Sequence, residues 1–547
     1  MEKKKVTVQD NYNEFLVKLL DEQLYLVASD VIKHLIDKFD VLPANARKII
    51  GRAVEQNCIQ SSAPYTFGKN QFAYLNVEHN LTKNDIKNIS KENRPPIYRL
   101  LELMDQNGGI VSYYEALKIT ASPVEKSSTK VDSLEDILTF LMKLDIVQKT
   151  TDHNGVGFVI YKDATDTGLP EELLRDTLEI MTRQHYDKMI ADCILLPDIL
   201  NWLRRSNIID SEKVIYRNKI TPHRGGIHNN LVWDAFGYSS TTGIKTVVKK
   251  GDDLIDKKTL VVLDVVLSHE YLDIHLDAFI SRMQINVNSV KEEQRKVLPI
   301  IVYASSSIAT INKMRKYGII TFDIGYVFGN RIYEVLNDIG QLPILESVNS
   351  GDVDKVIEKM LDSISSSGQD DALKALKGTL FEYLMYPLLK TIFPNAIIER
   401  NKTLIEKTKE GKRYNYEYDY IIQNNTPKEL IFVELKGYRA NAIIDVGNWE
   451  TKNTLKWFFN RTLPFAMKEH KAMKEEGISS KAIYITSANF SDEGRLLIEE
   501  YNKSSFKSRL LDVGYDREPL LSLLREYEFE SEIKIIDKFY KEVDSKK

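Results

Sequence analysis

Two acids and a lysine in the C-terminal part of this sequence stand in an order that suits hydrolysis of a polyanion. Asp419 lies within the apolar run Tyr414–Ile422, and Glu434-Leu-Lys436 closes a second run, Leu430-Ile-Phe-Val433, 15 residues after that aspartate. Glu382 precedes both, in Gly378-Thr-Leu-Phe-Glu382. Cleaving a phosphodiester requires a hydroxide nucleophile beside negative charge, and further charge that develops must be neutralised. A hard cation such as Mg²⁺ does both and takes oxygen ligands. Asp419 and Glu434 on adjacent strands could converge on one ion; without a cation, each carboxylate would raise the other's pKa. Lys436 is two residues from Glu434, so strand alternation puts both side chains on one face. There its ammonium could orient the attacking water or stabilise transition-state charge. Glu382 could add a water-mediated metal contact or help hold the lysine.

The spacing alone says little, because Glu2/Lys4, Glu410/Lys412, Glu450/Lys452, Glu469/Lys471 and Glu532/Lys534 repeat it. Only Glu434/Lys436 ends a strongly apolar run that follows another acid in an apolar run. The elements that must position these residues read as a helix over Ala372–Ile392, then Ala396–Glu399 with Leu404–Glu406 as a first strand and its edge. Tyr414–Ile422 and Glu429–Leu435 read as the next two strands. A helix over Trp449–Glu475, a strand at Lys481–Thr486 and a helix over Asp492–Tyr501 complete an α-β-β-β-α-β order.

At Asp419, Glu434-Leu-Lys436 and the Phe381-Glu382 helix the chain resembles the PD-(D/E)XK nuclease superfamily, and the Phe-Glu helix is similar to that of restriction endonucleases that cut modified DNA. The resemblance spans residues 372–505. It implies a Mg²⁺-dependent DNA endonuclease, with Mn²⁺ able to substitute, in which Asp419, Glu434 and Lys436 form the catalytic core, Glu382 assists, and Asp419, Glu434 and Leu435 bind metal. Glu417-Tyr-Asp419 replaces the Pro-Asp pair of the family pattern. From Arg400 to Arg413 six bases stand against two acids, a local +4 that suits phosphate tracking; Arg400, Lys402, Lys412 and Arg413 are its candidate contacts. Trp449, Lys452, Lys456, Trp457 and Arg461 follow, with the two tryptophans read as core.

The expected fold class is multidomain α/β and α+β. Residues 1–85 give helix, helix, helix and a β-ribbon, the winged-helix order. Pro43 opens the third helix, whose Arg47, Lys48 and Arg52 suit DNA contact, with Lys69 on the wing. Asn84–Pro96 reads as a polar linker. Residues 95–165 repeat the grammar with an acidic last helix (Asp132, Glu135, Asp136) that would repel phosphate. Residues 170–345 alternate strands and helices, and Trp233-Asp234 followed by Leu263-Asp264-Val-Val266 echoes the C-terminal motif. Valine replaces the lysine there, so a degenerate nuclease-like domain is expected. Glu346–Asp371 reads as a linker, and the restriction-endonuclease-like αβββαβ domain occupies 366–547. His223, His228, His269 and His275 lack tight metal-ligand spacing. No phosphate-cradling glycine loop occurs, so any ATPase or activator is a separate chain.

At 547 residues, 43% hydrophobic and 28% charged, the chain is too long for one core and too apolar for disorder. A net charge of −4 makes any DNA surface local. Two cysteines exclude a disulfide scaffold and suit a cytoplasmic location. No membrane span or signal core is expected after Met-Glu-Lys-Lys-Lys. DNA is the expected partner, and a double-strand cut by one site per chain asks for a homodimer. The function expected is a DNA endonuclease in prokaryotic restriction or antiphage defence. Its alternatives are a repair or transposition nuclease, or a non-catalytic DNA-binding regulator with nuclease-like scaffolds.

Overall fold

The computed structural model describes residues 8–68, 71–125, 132–152, 155–163, 170–211, 213–240, 246–250, 253–257, 259–288, 297–340, 353–407, 413–471 and 477–541. The chain forms two compact units. The first comprises 1–185, 227–233 and 272–294, and the second 186–226, 234–271 and 295–547. Residues 227–233 and 272–294, both within the expected 170–345 domain, belong to the first unit. No helix among the described residues is long and apolar enough to cross a membrane.

The first unit contains one arrangement twice. Helix Val8–Gln23, strand Tyr25–Val27, helices Ala28–Phe39 and Pro43–Glu55, and strands Gln60–Ser61 and Ala73–Leu75 make the first copy. Helix Pro95–Gln106, strand Ile110–Ser112, helices Tyr113–Thr120 and Leu134–Lys143, and strands Val147–Thr151 and Gly157–Tyr161 make the second. In both, the last strand sits between the other two and pairs antiparallel with each. The expected linker Asn84–Pro96 is instead mostly a helix, Lys83–Asn93. Thr82 and Asp85 cap it reciprocally, Ile86 and Ile89 are buried, and Pro95 opens the next helix rather than ending this one. Ser112/Glu115 and Ser133/Asp136 form the same capping box on two further helices.

The second unit contains one five-stranded mixed sheet twice. The first sheet comprises β1 (Ile215–Tyr216), β2 (Ala235–Ser239), β3 (Thr259–Val266), β4 (Val297–Tyr303) and β5 (Ile320–Asp323). The second comprises β6 (Ile397–Lys407), β7 (Arg413–Asn425), β8 (Lys428–Lys436), β9 (Ser479–Thr486) and β10 (Gly514–Tyr515). In each the spatial order follows the chain; the first two pairings are antiparallel and the last two parallel. One core joins both sheets, with Leu263, Val265 and Ile300 of the first, and Ile431, Val433, Leu435 and Ile483 of the second. The helix Lys374–Ile392 adds Leu380, Phe381 and Leu384 to it.

The expected linker Glu346–Asp371 is corrected in its described part. Val353–Ser366 is a helix burying Val353, Ile357, Met360, Leu361 and Ile364, an apolar stripe that the serine-rich end obscures. The expected helix Trp449–Glu475 begins only at Leu455. It passes through a π turn at Phe458–Thr462 and continues as Leu463–Glu469.

Candidate active site

Strand β8 explains the placement of its acid and lysine. Ile431, Val433 and Leu435 enter the shared core, whereas Leu430 and Phe432 enter a second cluster on the opposite sheet face with Tyr418, Tyr484 and Phe458. By alternation Glu434 and Lys436 belong to the Leu430/Phe432 face, at the end of the strand where apolar cover runs out. Lys436 Nζ lies 2.6 Å from Glu434 Oε1. Strand β7 changes face at Asp419. Tyr416 and Tyr418 join one cluster, yet Tyr420 and Ile422 join the other. Asn401, which would face Asp419 across the β6–β7 ladder, is missing from the paired register and has φ of 54°. The carboxylate so released accepts the Leu435 N–H at Oδ2, at 2.6 Å. Asp419 is thereby tied to the backbone between Glu434 and Lys436.

Glu382 arrives from the Lys374–Ile392 helix. Its neighbour Phe381 packs against Gly437, where an added Cβ would lie 2.4 Å from Phe381 Cβ. Only glycine lets helix and strand end approach this closely. Lys219, in the turn after β1, donates to Thr379 Oγ1 at 2.9 Å and pairs with the Glu382 carboxylate. The side chains of Lys219, Glu382, Glu434 and Lys436 each keep 12–19% of their surface open, so the cluster is largely buried but reachable.

The charges perturb one another. Burial lifts Glu434 to about 7 against the pull of Lys436, with Asp419 and Glu382 pushing the same way. Burial also raises Glu382; Lys219 opposes this and Asp419 adds to it. Burial works to lower Lys436, but Glu434 and Asp419 beside it hold it well above the ordinary lysine value, so it remains an ammonium at neutral pH. Tyr484 stands beside Glu434 in the β8–β9 register. Its buried hydroxyl has no hydrogen-bond partner among the described residues, and burial pushes its pKa up.

The first sheet carries the same device. Asp234 lies directly before β2, between it and the strand Leu231–Trp233, and its Oδ2 accepts the Val265 N–H at 2.8 Å. Val265 follows Asp264 as Leu435 follows Glu434. The registers agree as well, Ala235 with Leu263 and Tyr420 with Val433. What differs is the countercharge. Arg217, 1% exposed, places Nη1 3.5 Å from Asp234, and the Tyr271 hydroxyl donates to Asp264 at 2.9 Å. Val266 stands where the second sheet has Lys436.

The structure brings Asp419, Glu434, Leu435, Lys436 and Glu382 together, and it adds Lys219, Thr379, Gly437 and Tyr484, which the sequence reading missed. Gly437 directly after Lys436 was a local signal; Lys219 had none. Of the candidate nucleic-acid contacts, Arg47, Lys48 and Arg52 are exposed on the Pro43–Glu55 helix. Arg400 stacks its guanidinium 4.0 Å from the Tyr383 ring centre and donates to the Tyr383 hydroxyl, and Lys402 pairs with Glu399 at 2.9 Å. Lys69, Lys412 and the Arg413 side chain lie outside the described residues. Trp449, expected in the core, is 54% exposed. It and Tyr414 each hold their ring centres 5.1 Å from the Arg461 guanidinium, and Trp457 lies at 5.2 Å.

Among the described residues no group of three His, Cys, Asp or Glu side chains is gathered as a ready metal site, the four middle histidines included. Comparison with protein-family models, curated proteins and solved structures returns no match.

Proposed function

We propose that this chain is a metal-dependent nuclease that hydrolyses phosphodiester bonds in DNA, with the second sheet of the second unit as the cutting site. The observation that carries this is the tie between Asp419 and the Glu434-Leu-Lys436 strand end, beside Glu382. The donor set fits Mg²⁺. Three carboxylates (Glu382, Asp419, Glu434) stand beside two ammoniums (Lys219, Lys436), and burial and mutual repulsion disfavour the charged forms of Glu382 and Glu434, a penalty that a hard, oxygen-seeking cation would relieve. Asp419, Glu434 and the Leu435 carbonyl would hold it, with waters completing the shell. When bound, such an ion supplies Lewis-acid polarisation of the phosphate and an acidified water.

The remaining chemistry belongs to the chain. Lys436, kept protonated by Glu434 and Asp419, meets the negative charge that develops on the phosphorane oxygens and orients the attacking water. Glu382 confines Asp419 and Lys436 from the helix side. The largely buried setting strengthens each of these interactions relative to bulk water. In the first unit, the doubled helix–strand–helix–helix–strand–strand arrangement is consistent with tandem winged helices, and Arg47, Lys48 and Arg52 form a surface suited to phosphates. A role in restriction or antiphage defence accords with a cutter joined to separate DNA-selecting modules.

Purified protein is incubated with plasmid, linear duplex and single-stranded DNA in Mg²⁺, Mn²⁺ or EDTA, beside Glu434→Ala and Lys436→Ala. Metal-dependent cutting that both variants lose is the expected result. Binding without cutting in any metal would favour a regulator built on nuclease-like scaffolds.

A further inference from the structure

We propose that Lys219, supplied by the first sheet's β1 turn, is a positioning residue for the second sheet's site, fixing the Glu382 carboxylate; this rests on the nuclease reading above. The turn is held from several sides. Asn218 Oδ1 accepts the N–H groups of Ile220 and Thr221, both at 2.9 Å. The Tyr186 hydroxyl donates to the Ile220 carbonyl at 3.2 Å, and Arg217 donates to the Pro222 carbonyl. Asn218 Nδ2 also reaches Glu417 at 3.5 Å. From this turn Lys219 spends two of its three ammonium protons on Thr379 and Glu382, three residues apart on one helix. An ion pair this enclosed leaves a costly orphan charge when one partner is removed.

The same short segment therefore serves both sheets. Arg217 neutralises Asp234 in the first, and two residues later Lys219 enters the second. The first sheet, which has Val266 in the lysine position, contributes to the cutting site through this loop and not through a site of its own.

The test compares wild type, Lys219→Met, Lys219→Arg, Glu382→Gln and the Lys219→Met/Glu382→Gln double variant, in Mg²⁺ with plasmid DNA. Turnover and the DNA concentration at half-maximal rate are read separately, with thermal unfolding alongside. Lys219→Met is expected to lower kcat roughly tenfold to a hundredfold, as misplacement of a supporting group does, with KM unchanged and Lys219→Arg restoring most of the rate. In the Glu382→Gln background the methionine should cost nothing further, because Lys219 acts through Glu382. A Lys219→Met enzyme that cuts at the wild-type rate, or faster, overturns the proposal, as does full additivity in the double variant. If Lys219→Met does not fold, Thr379→Val takes its place, removing one of the two acceptors. A wild type that does not cut under any condition refutes the nuclease reading itself, and the role of Lys219 with it.

Discussion

Replacing Gly437 by alanine tests whether the site depends on the close approach of helix and strand. The added Cβ would lie 2.4 Å from Phe381 Cβ and 2.8 Å from Phe381 Cγ. Carbon atoms rest at about 3.5–4.0 Å, so relief requires roughly 1 Å of movement. No rotamer of Phe381 supplies it, because a Cβ is fixed to its own backbone; the helix or the strand end must move. Overpacking of this kind costs about 1–3 kcal/mol. The movement falls on the residue before Glu382 and the residue after Lys436, so cleavage should drop on the order of a hundredfold. Urea unfolding gives the first quantity and single-turnover cleavage of plasmid the second. Phe381→Ala retains the offending Cβ and should not rescue Gly437→Ala. An alanine variant within about 0.5 kcal/mol of wild type, a change typical of neutral surface sites, would refute the reasoning.

Three further outcomes are expected. Asp198 is fully buried and accepts the Ala375 and Leu376 N–H groups at the start of the Glu382 helix; burial, only partly opposed by those bonds, lifts it from 3.8 to about 6. Since the folded value is the higher one, its stabilisation is complete below pH ~4 and is lost as pH rises through 6. Wild-type stability relative to Asp198→Asn should thus decline between pH 4 and 7, by an amount on the order of 3 kcal/mol or less; a flat difference in urea titrations would contradict this. Arg217→Met, which strips the guanidinium from buried Asp234, should destabilise the protein by about 3–5 kcal/mol, and a loss below about 1 kcal/mol in the same titrations would show the pair to be dispensable. Charge reversal at Arg47 and Lys48 should weaken duplex binding and reduce the slope of log K against log salt by about 2; an unchanged slope would remove that helix from the DNA surface.

What the sequence disclosed was what local pattern encodes. The apolar run Leu430–Val433 predicted a strand over Glu429–Leu435, and β8 extends it by one residue at each end, to Lys428 and Lys436. The proximity of Asp419 to Glu434 followed from adjacent strands, and the hydrogen bond to Leu435 realises it. The echo at Asp234 and Asp264 was visible as two short strings, but its neutralisation by Arg217 was not, since an arginine in a turn carries no periodicity. Lys219 was hidden for the same reason; it meets Glu382 across 163 residues, and only tertiary packing selects such a pair. Arg400 is a further case: the run of bases showed its charge but not its stacking on Tyr383, whose hydroxyl accepts from its guanidinium.

The guanidinium of Arg217 has a consequence for the matched sheets. Its positive charge is part of the chain: it cannot be chelated, diluted or exchanged for another ion. Asp234 of the first sheet therefore keeps its countercharge whatever the surrounding medium contains. The loop that follows Arg217 carries Lys219 two residues on, held by the hydrogen bonds of Asn218 and Tyr186.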